Sequence, residues 1–152
     1  MAGAMQIVDF LAPTDVVLGV RAADKHQLLR ELSAQAAAGA GLDPDEVAMK
    51  LAKREELGST GVGNGVALPH ARIAGLKLPF GFLARLHQAI DFDAIDDQPV
   101  DIVFLLLLPE TENGEQLNAL ACAARALRKP ERLYSIRNAV DREAVYGAIT
   151  AD

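Results

Sequence analysis

A glycine-rich stretch followed by a histidine carries the clearest chemical signal in this sequence. Residues 58–65 include four glycines, Gly63 among them, and His70 comes shortly after, directly behind Pro69. Glycine lets the backbone adopt positive φ and approach a ligand closely, whereas proline fixes the backbone just before the imidazole. A neutral imidazole keeps one unprotonated nitrogen, so it is a nucleophile that can hold a phosphoryl group. The pattern predicts a phosphoryl-accepting His70 beside a loop whose N–H groups cradle phosphate.

Cationic and polar side chains near His70 are candidates to hold the phosphoryl group, which brings roughly two negative charges. Arg72 lies two residues beyond His70 and shares its face if the strand continues. Arg54 ends the predicted helix that leads into the loop. Taken alone, each arginine fits an ordinary surface charge better than a phosphate ligand. Ser59 and Thr60 add hydroxyl donors, and capping of the turn is an equally good explanation for both.

The glycine loop differs from both standard nucleotide-binding patterns. The residues Gly61-Val-Gly-Asn-Gly65 do not match G-x-G-x-x-G, and no Lys-Ser/Thr pair follows Gly63, as a P-loop requires. The competing interpretation is a tight turn between a helix and a strand, which needs glycines for conformational reasons alone. The loop sequence by itself does not decide between an anion-binding loop and a tight turn.

The other histidines and the acidic residues do not predict a second site. His26 falls in the first turn of a predicted helix and His87 follows a predicted strand, so both are expected to be solvated. No His-x-x-x-His or Cys-x-x-Cys set surrounds His70, so no metal is expected. The aspartates of residues 91–101 lack the glycine and glutamate of an EF-hand loop, which predicts a solvated strand edge. Cys122 is expected to be a small core residue.

Length and composition limit the class of protein. The 152 residues are 51% hydrophobic, which suits one domain, placed at residues 5–152 with residues 1–4 as an appended start. The net charge of −6 argues against nucleic acid or an anionic membrane as a partner. With one cysteine and no signal-peptide pattern, a cytoplasmic location is expected. The longest apolar run, residues 102–108, is too short for stable membrane insertion.

Capping signals and apolar periodicity predict the positions of helices and strands. Asp24 and Gln27 form a capping-box pattern for a helix that runs to Gly39, and Asp43 with Pro44 starts a second helix. Further helices are predicted after residues 113–114, at Pro130 and at Asp141, and strands at residues 16–18, 66–68 and 80–86. Residues 90–93 alternate apolar with acidic side chains, which predicts a half-exposed strand or a turn.

The most apolar segment predicts the centre of the fold. Residues 100–108 are apolar on both faces and stop at Pro109. Strands without alternation are buried on both sides, so we expect a central strand covered by helices in an α/β fold. The following helix is predicted to bury one side made of Leu117, Leu120, Ala121, Ala124 and Leu127.

The segment Arg54-Glu-Glu-Leu-Gly-Ser-Thr-Gly-Val-Gly-Asn-Gly-Val-Ala-Leu-Pro-His70 closely resembles the active-site segment of the enzyme IIA domains of the bacterial phosphotransferase system, fructose/mannitol class. Together with residues 90–101 it is most similar to the nitrogen-regulatory branch, and the similarity covers nearly the whole chain. The resemblance implies a single α/β domain with a mixed β-sheet flanked by helices on both faces. It also implies that His70 accepts a phosphoryl group from a small phosphocarrier protein of the HPr type, with Arg54 and Asn64 near the phosphate.

One position departs from the family pattern. Many members carry a second active-site histidine, in a His-Leu-x-x-Leu pattern, at the start of the helix after the central strand. This chain has Gln116-Leu-Asn-Ala-Leu120 there. Gln116 can donate a hydrogen bond to a phosphoryl oxygen from a helix N-terminus, but it cannot hold a positive charge or shuttle a proton. The difference bears on onward transfer of phosphate more than on its acceptance.

The residues and the resemblance together predict a cytoplasmic regulatory protein that needs no cofactor. Phosphorylation of His70 is expected to change which protein partner is bound, and the sequence does not identify that partner. The alternative within the family is a sugar-transport component that passes phosphate to the IIB domain of a permease. An alternative of another class is a non-catalytic anion- or nucleotide-binding module built on the same loop.

Overall fold

One strand, two helices, five strands and three helices follow one another in residues 5–110 and 115–151, the part of the chain that the computed structural model describes. The strands are β1 (Val16–Val20), β2 (Gly61–Gly63), β3 (Val66–Ala67), β4 (His70–Ile73), β5 (Phe80–Ile90) and β6 (Val100–Pro109). The helices are α1 (Lys25–Ala40), α2 (Pro44–Glu56), α3 (Glu115–Ala126), α4 (Pro130–Asn138) and α5 (Arg142–Thr150). Short 3-10 turns at Ile7–Asp9 and Pro13–Asp15 precede them. Each of the predicted helices is therefore present.

The described strands form one mixed sheet. Their order is β1-β5-β6-β3-β2, and β4 pairs with β6 beyond the end of β3. β3 and β4 run parallel to β6, whereas β5 is antiparallel to it. β1 is parallel to β5, and β2 forms an antiparallel hairpin with β3. The central position predicted for β6 is confirmed.

Alternate side chains of β6 supply the two halves of the core. Ile102 and Phe104 are fully buried on the face covered by α3, α4 and α5. Val103, Leu105 and Leu107 are fully buried on the opposite face, against α1 and α2. Helices therefore cover both faces of a mixed sheet, and the predicted fold class is confirmed.

The predicted capping signal fixes the start of α1. Asp24 Oδ1 accepts the N–H of Gln27 at 2.8 Å, and Gln27 Oε1 accepts the N–H of Ala23 at 2.6 Å. The predicted end of the helix was Gly39, and the helix continues one residue further, to Ala40. Gly41 then adopts a left-handed φ of 71°, a conformation that glycine reaches without steric cost and that commonly ends helices.

α3 buries a different side from the predicted one. Ala121 is exposed, and Leu120 and Ala124 are only half-buried. The buried side, with the residue that follows the helix, consists of Ala119, Cys122, Ala123, Ala126 and Leu127. Apart from Leu127, the predicted side was wrong, because it followed the leucines, whereas Asn118 and Arg125 mark the exposed side of the helix. The core position of Cys122 is confirmed, whereas the side chain of Leu117 and the cap at residues 113–114 lie outside the described part.

The segment after β5 is a loop rather than a solvated strand edge. β5 itself continues to Ile90, so His87 lies within the strand, at an exposed position. Residues 91–99 then contain no strand. Phe92 is completely buried in the core beneath α1 and α2, and Asp93 follows with a φ of 54°. The alternation of apolar and acidic residues matched a strand, but the buried Phe92 ring anchors a loop.

Candidate active site

The imidazole of His70 is held in one tautomer. His70 is the first residue of β4 and is half-buried. Its Nδ1 lies 2.9 Å from the carbonyl oxygen of Leu68, and a carbonyl can only accept, so Nδ1 carries the proton. Arg54 Nε–H donates to the other ring nitrogen, Nε2, at 3.4 Å, which requires a lone pair there. The ring nitrogen that keeps its lone pair is therefore Nε2.

The surroundings of His70 keep its imidazole neutral. Burial lowers the pKa of His70 below its ordinary value, and the Arg54 cation lowers that pKa further. The hydrogen bond to Leu68 and the Glu55 carboxylate act in the opposite direction. Because the pKa is lowered overall, the imidazole is uncharged at neutral pH, the form in which Nε2 is a nucleophile.

His70 opens onto a cationic cleft of about 510 Å³. Among the described residues, four cationic side chains and one carboxylate, that of Glu110, line the cleft, in a chain whose net charge is −6. The described lining consists of Lys50, Lys53, Arg54, Leu57, His70, Ala71, Arg72, Leu108, Glu110 and Leu120. Positive side chains around a neutral nucleophile favour a phosphoryl group, whose charge needs cationic donors.

Helix α2 brings Arg54 to the imidazole. Asp43 caps the start of the helix and Pro44 occupies its first turn, as predicted, so Arg54 falls in the last turn. A cation is stabilised there by the negative end of the helix dipole. Arg54 Nη1 also donates to the carbonyl of Gly58 at 3.0 Å, which ties the guanidinium to the segment after the helix. Arg54 therefore contacts both His70 and the start of the glycine loop.

Arg72 lies on the His70 side of strand β4. The exposure of the strand alternates, with Ala71 and Ile73 buried and Arg72 exposed. His70 and Arg72 consequently line the same cleft, as the spacing of two residues predicts. Both candidate arginines line the cleft of His70, and Arg54 is hydrogen-bonded to the imidazole.

Ser59 and Thr60 bind the chain itself and do not line the cleft. The Ser59 hydroxyl donates to the Phe92 carbonyl at 2.6 Å and accepts the N–H of Gly61 at 3.0 Å. Thr60 is buried, and its N–H and hydroxyl donate to the two carboxylate oxygens of Glu55 at 2.9 and 2.6 Å. These bonds match the turn-stabilising explanation, and phosphate contact by either residue stays a prediction.

Gly63 and Asn64 lie in the β2–β3 hairpin, away from the lining of the His70 cleft. Asn64 adopts a φ of 57° in the turn. Its N–H donates to Asp96 Oδ2 at 3.0 Å, and its carbonyl accepts from Arg137 Nη2 at 2.6 Å. Gly61 serves a close approach, because a Cβ there would lie 2.8 Å from the backbone of Ala94. The glycines thus shape a hairpin, and phosphate binding by Gly63 and Asn64 stays a prediction.

Gln116 falls in the first turn of α3, where the family pattern predicts an active-site residue. Its side chain is outside the described part of the chain. Leu120, four residues further along the same helix, lines the cleft around His70. The helix is therefore beside the site, and the contact of Gln116 with phosphate stays a prediction.

Lys50, Lys53, Glu55 and Glu110 are charged residues at the site that the sequence analysis missed. Lys50 and Lys53 line the cleft with Arg54, and their spacing on one helix could have indicated a shared face. Glu55 is directed inward, and its side chain is only 7% exposed. No sequence pattern distinguishes it from the neighbouring Glu56, which is exposed.

The other polar candidates have local roles. His26 and His87 are exposed, as predicted. Asp96 accepts N–H groups within and next to its loop, and Asp101 forms a 2.9 Å ion pair with Arg137. Within residues 5–110 and 115–151, no three His, Cys, Asp or Glu side chains are grouped to hold a metal ion. None of the helices in those two ranges is both long and apolar enough to span a bilayer.

The mixed sheet, the helices on both faces and the histidine cleft define an enzyme IIA-type α/β domain. The chain belongs to the family described as phosphoenolpyruvate-dependent sugar phosphotransferase system, EIIA 2, whose model matches residues 9–151. It is 42% identical to the nitrogen regulatory protein of Bradyrhizobium diazoefficiens. The alignment spans 145 residues and covers 95% of each chain. The predicted resemblance to the nitrogen-regulatory branch is thereby confirmed.

Solved structures agree with this family. The nitrogen regulatory protein IIA-Ntr from Neisseria meningitidis matches with a TM-score of 0.88 and 34% identity, over 95% of this chain and 99% of that one. The mannitol IIA of Escherichia coli matches with a TM-score of 0.76 over 91% and 97% of the two chains. Its identity is only 19%, so that second likeness supports the fold alone.

Proposed function

We propose that this protein accepts a phosphoryl group on Nε2 of His70 from a phosphocarrier protein of the HPr type, and that phosphorylation changes which protein partner it binds. The observation that carries the proposal is the pair of contacts at the imidazole. The Leu68 carbonyl holds the proton on Nδ1, and the remaining lone pair on Nε2 lies beside Arg54 in a cationic cleft. This arrangement has the nucleophile and the charge that phosphoryl transfer requires.

The chemistry is a direct exchange between two imidazoles. The Nε2 lone pair attacks phosphorus, the P–N bond to the carrier histidine breaks, and the carrier nitrogen recovers its lone pair. Nε2 bears no proton before attack, so no base is needed to remove one. Arg54 moves from Nε2 to the incoming phosphoryl oxygens and donates to them, which stabilises their charge. No metal or cofactor enters this scheme.

A regulatory role is supported by the relatives and by the charge of the cleft. The similar protein of Bradyrhizobium diazoefficiens is a nitrogen regulatory protein, matched over 95% of both chains. A phosphohistidine adds roughly two negative charges to a cleft whose described lining has four cations and one carboxylate. Such a change alters the electrostatic complementarity that selects partners. The bound target thus depends on the phosphorylation state.

Labelled phosphoenolpyruvate, the first enzyme of the system and a phosphocarrier test phosphoryl acceptance. The protein should become labelled only when all three are present. A non-catalytic anion-binding module would stay unlabelled, which would overturn the proposal.

A pull-down tests the regulatory step. Phosphorylated wild type and His70→Ala should retain different proteins from an extract of the source cell. Identical retained sets would contradict regulation by phosphorylation. Rapid loss of label to an added fructose-type IIB domain would instead support the sugar-transport alternative.

A further inference from the structure

An inward-facing ion pair joins the two helices that precede the glycine loop. Lys25, the first residue of α1, places its Nζ 2.8 Å from Oε2 of Glu55 in the last turn of α2. The Glu55 side chain is 7% exposed and that of Lys25 is 20% exposed. Charges so far from water are costly unless they are paired and fully hydrogen-bonded. The arrangement therefore demands further partners for the carboxylate.

Those partners belong to Thr60, at the entrance of the hairpin. The Thr60 N–H donates to Glu55 Oε2 at 2.9 Å, and its hydroxyl donates to Oε1 at 2.6 Å. Both carboxylate oxygens thus hold one residue by its backbone and its side chain. Charge-assisted bonds of this kind are stronger than neutral ones, so Thr60 is fixed relative to α2.

From Thr60 the hydrogen bonds continue to the nucleophile. The Thr60 carbonyl accepts the N–H of Leu68 at 2.9 Å. The Leu68 carbonyl accepts Nδ1–H of His70 at 2.9 Å. The path from Glu55 to the imidazole therefore runs through two residues, and it ends on the bond that selects the tautomer.

The Lys25 ammonium group has several partners besides Glu55. Lys25 Nζ donates to the Phe92 carbonyl at 3.3 Å and lies 4.8 Å from the centre of the Phe92 ring. The Ser59 hydroxyl donates to the same carbonyl at 2.6 Å. The exposed Asp93 carboxylate lies 3.6 Å from Nζ. Lys25 thus connects the Glu55 carboxylate to the buried Phe92, which is part of the core.

We propose that Glu55 is a positioning residue for phosphoryl acceptance by His70. Paired with Lys25, it fixes Thr60 and thereby the Leu68 carbonyl, which keeps the proton on Nδ1 and the lone pair on Nε2. The inference rests on the proposed function of His70. Glu55 touches neither phosphate nor donor, and it acts only through the geometry of the imidazole and through its charge. The other charged residues that line the cleft of His70, in the part of the chain that the structure describes, are Lys50, Lys53, Arg54, Arg72 and Glu110.

The test compares Glu55→Gln with Glu56→Gln, the same substitution one residue further on the exposed side of the helix. Glu55→Gln should slow phosphoryl acceptance from the phosphorylated carrier about tenfold, which corresponds to ~1.4 kcal/mol of transition-state stabilisation. Glu56→Gln should match wild type. Equal rates for all three proteins would overturn the inference.

A second readout examines the imidazole without any phosphoryl donor. Nitrogen-15 NMR of the unphosphorylated protein should show Nδ1–H as the dominant tautomer of His70 in wild type and Glu56→Gln. In Glu55→Gln the Nε2–H tautomer should become populated, and the pKa of His70 should fall further, because a carboxylate that raises it is gone. An unchanged tautomer and pKa would contradict the positioning role. Failure of the proposed function is a separate result, since wild type would then take no label at all.

Removing the carboxylate charge from beside Lys25 can prevent folding, so a milder pair of variants completes the test. Thr60→Val removes only the hydroxyl bond to Glu55 and keeps the shape and the backbone N–H. Thr60→Ser keeps both bonds. Thr60→Val should slow acceptance roughly threefold to tenfold, less than the full effect of one lost hydrogen bond to a charged group, because the loss reaches His70 only through Leu68. Thr60→Ser should restore the wild-type rate and tautomer. Equal behaviour of Val and Ser variants would refute the path through Thr60.

Discussion

Replacement of Arg54 by alanine is the sharpest probe of the site. In the unphosphorylated protein Arg54 bonds His70 Nε2 at 3.4 Å and the Gly58 carbonyl at 3.0 Å. In the transition state the same guanidinium is expected to donate to the phosphoryl oxygens. A hydrogen bond from a charged donor contributes about 1.5–3 kcal/mol. Arg54→Ala should therefore slow phosphoryl acceptance by roughly 10- to 100-fold.

The pKa of His70 provides an independent check on this variant. The Arg54 cation lowers that pKa, so its removal should raise the pKa towards the ordinary value. Rates are best compared at mildly alkaline pH, where the imidazole is neutral in every variant and protonation does not obscure the loss of the donor.

Single-turnover labelling at a saturating concentration of the phosphorylated carrier measures the rate of phosphoryl transfer itself, so a change in carrier binding does not contribute. Arg54→Lys keeps the charge but cannot span two partners with a planar fork, so it should fall between alanine and wild type. Arg72→Ala is the matched control from the same cleft and should have the smaller effect. A greater loss from Arg72→Ala than from Arg54→Ala would show that Arg54 is not the main hydrogen-bond donor to the phosphoryl oxygens.

Three further results are expected. The rate of phosphoryl acceptance should be constant above the pKa of His70 and should fall as the pH drops through that pKa, because only the neutral imidazole attacks. The midpoint should lie below the ordinary value of about 6.5, since burial lowers the pKa. A midpoint above that value would contradict the effect of burial. Phe92→Ala should lower the free energy of unfolding by about 3–5 kcal/mol in a urea titration, since it empties a fully buried site, and a loss under about 1 kcal/mol would show that the loop repacks. Gln116→Ala should be mild, whereas Gln116→His should speed acceptance and steepen its pH dependence near pH 6.5, as a protonated imidazole donates a charge-assisted bond; three identical pH–rate profiles would place residue 116 outside the site.

Elements with strong local chemistry were predictable from the sequence. β6 has apolar residues on both faces, so its central position followed directly. The Asp24 cap likewise predicted the start of α1, because a side-chain acceptor at that position satisfies a free N–H. The buried side of α3 was predicted wrongly, because Leu120 is only half-buried while alanines fill the core side opposite Asn118 and Arg125. Tertiary packing decides which apolar residues of such a helix are covered.

The site was predictable where chemistry and spacing coincide. His70 and Arg72 are two residues apart on one strand, and Arg54 ends the helix before the loop. The glycines were harder to interpret, because a positive φ serves a hairpin as well as an anion cradle. The Lys25–Glu55 ion pair could not be predicted from the sequence, because it depends on how the start of α1 packs against the end of α2.

Identification of the phosphorylated residue tests the central claim most directly. Wild type, His70→Ala, His26→Ala and His87→Ala are each incubated with the labelled phosphoryl donors and then exposed to acid and to alkali. We expect the label to be lost only in His70→Ala, and the bond in the other proteins to break in acid and persist in alkali, as a phosphoramidate does. Label retained by His70→Ala, or label that survives acid and maps to Ser59 or Thr60, would contradict phosphoryl acceptance by His70.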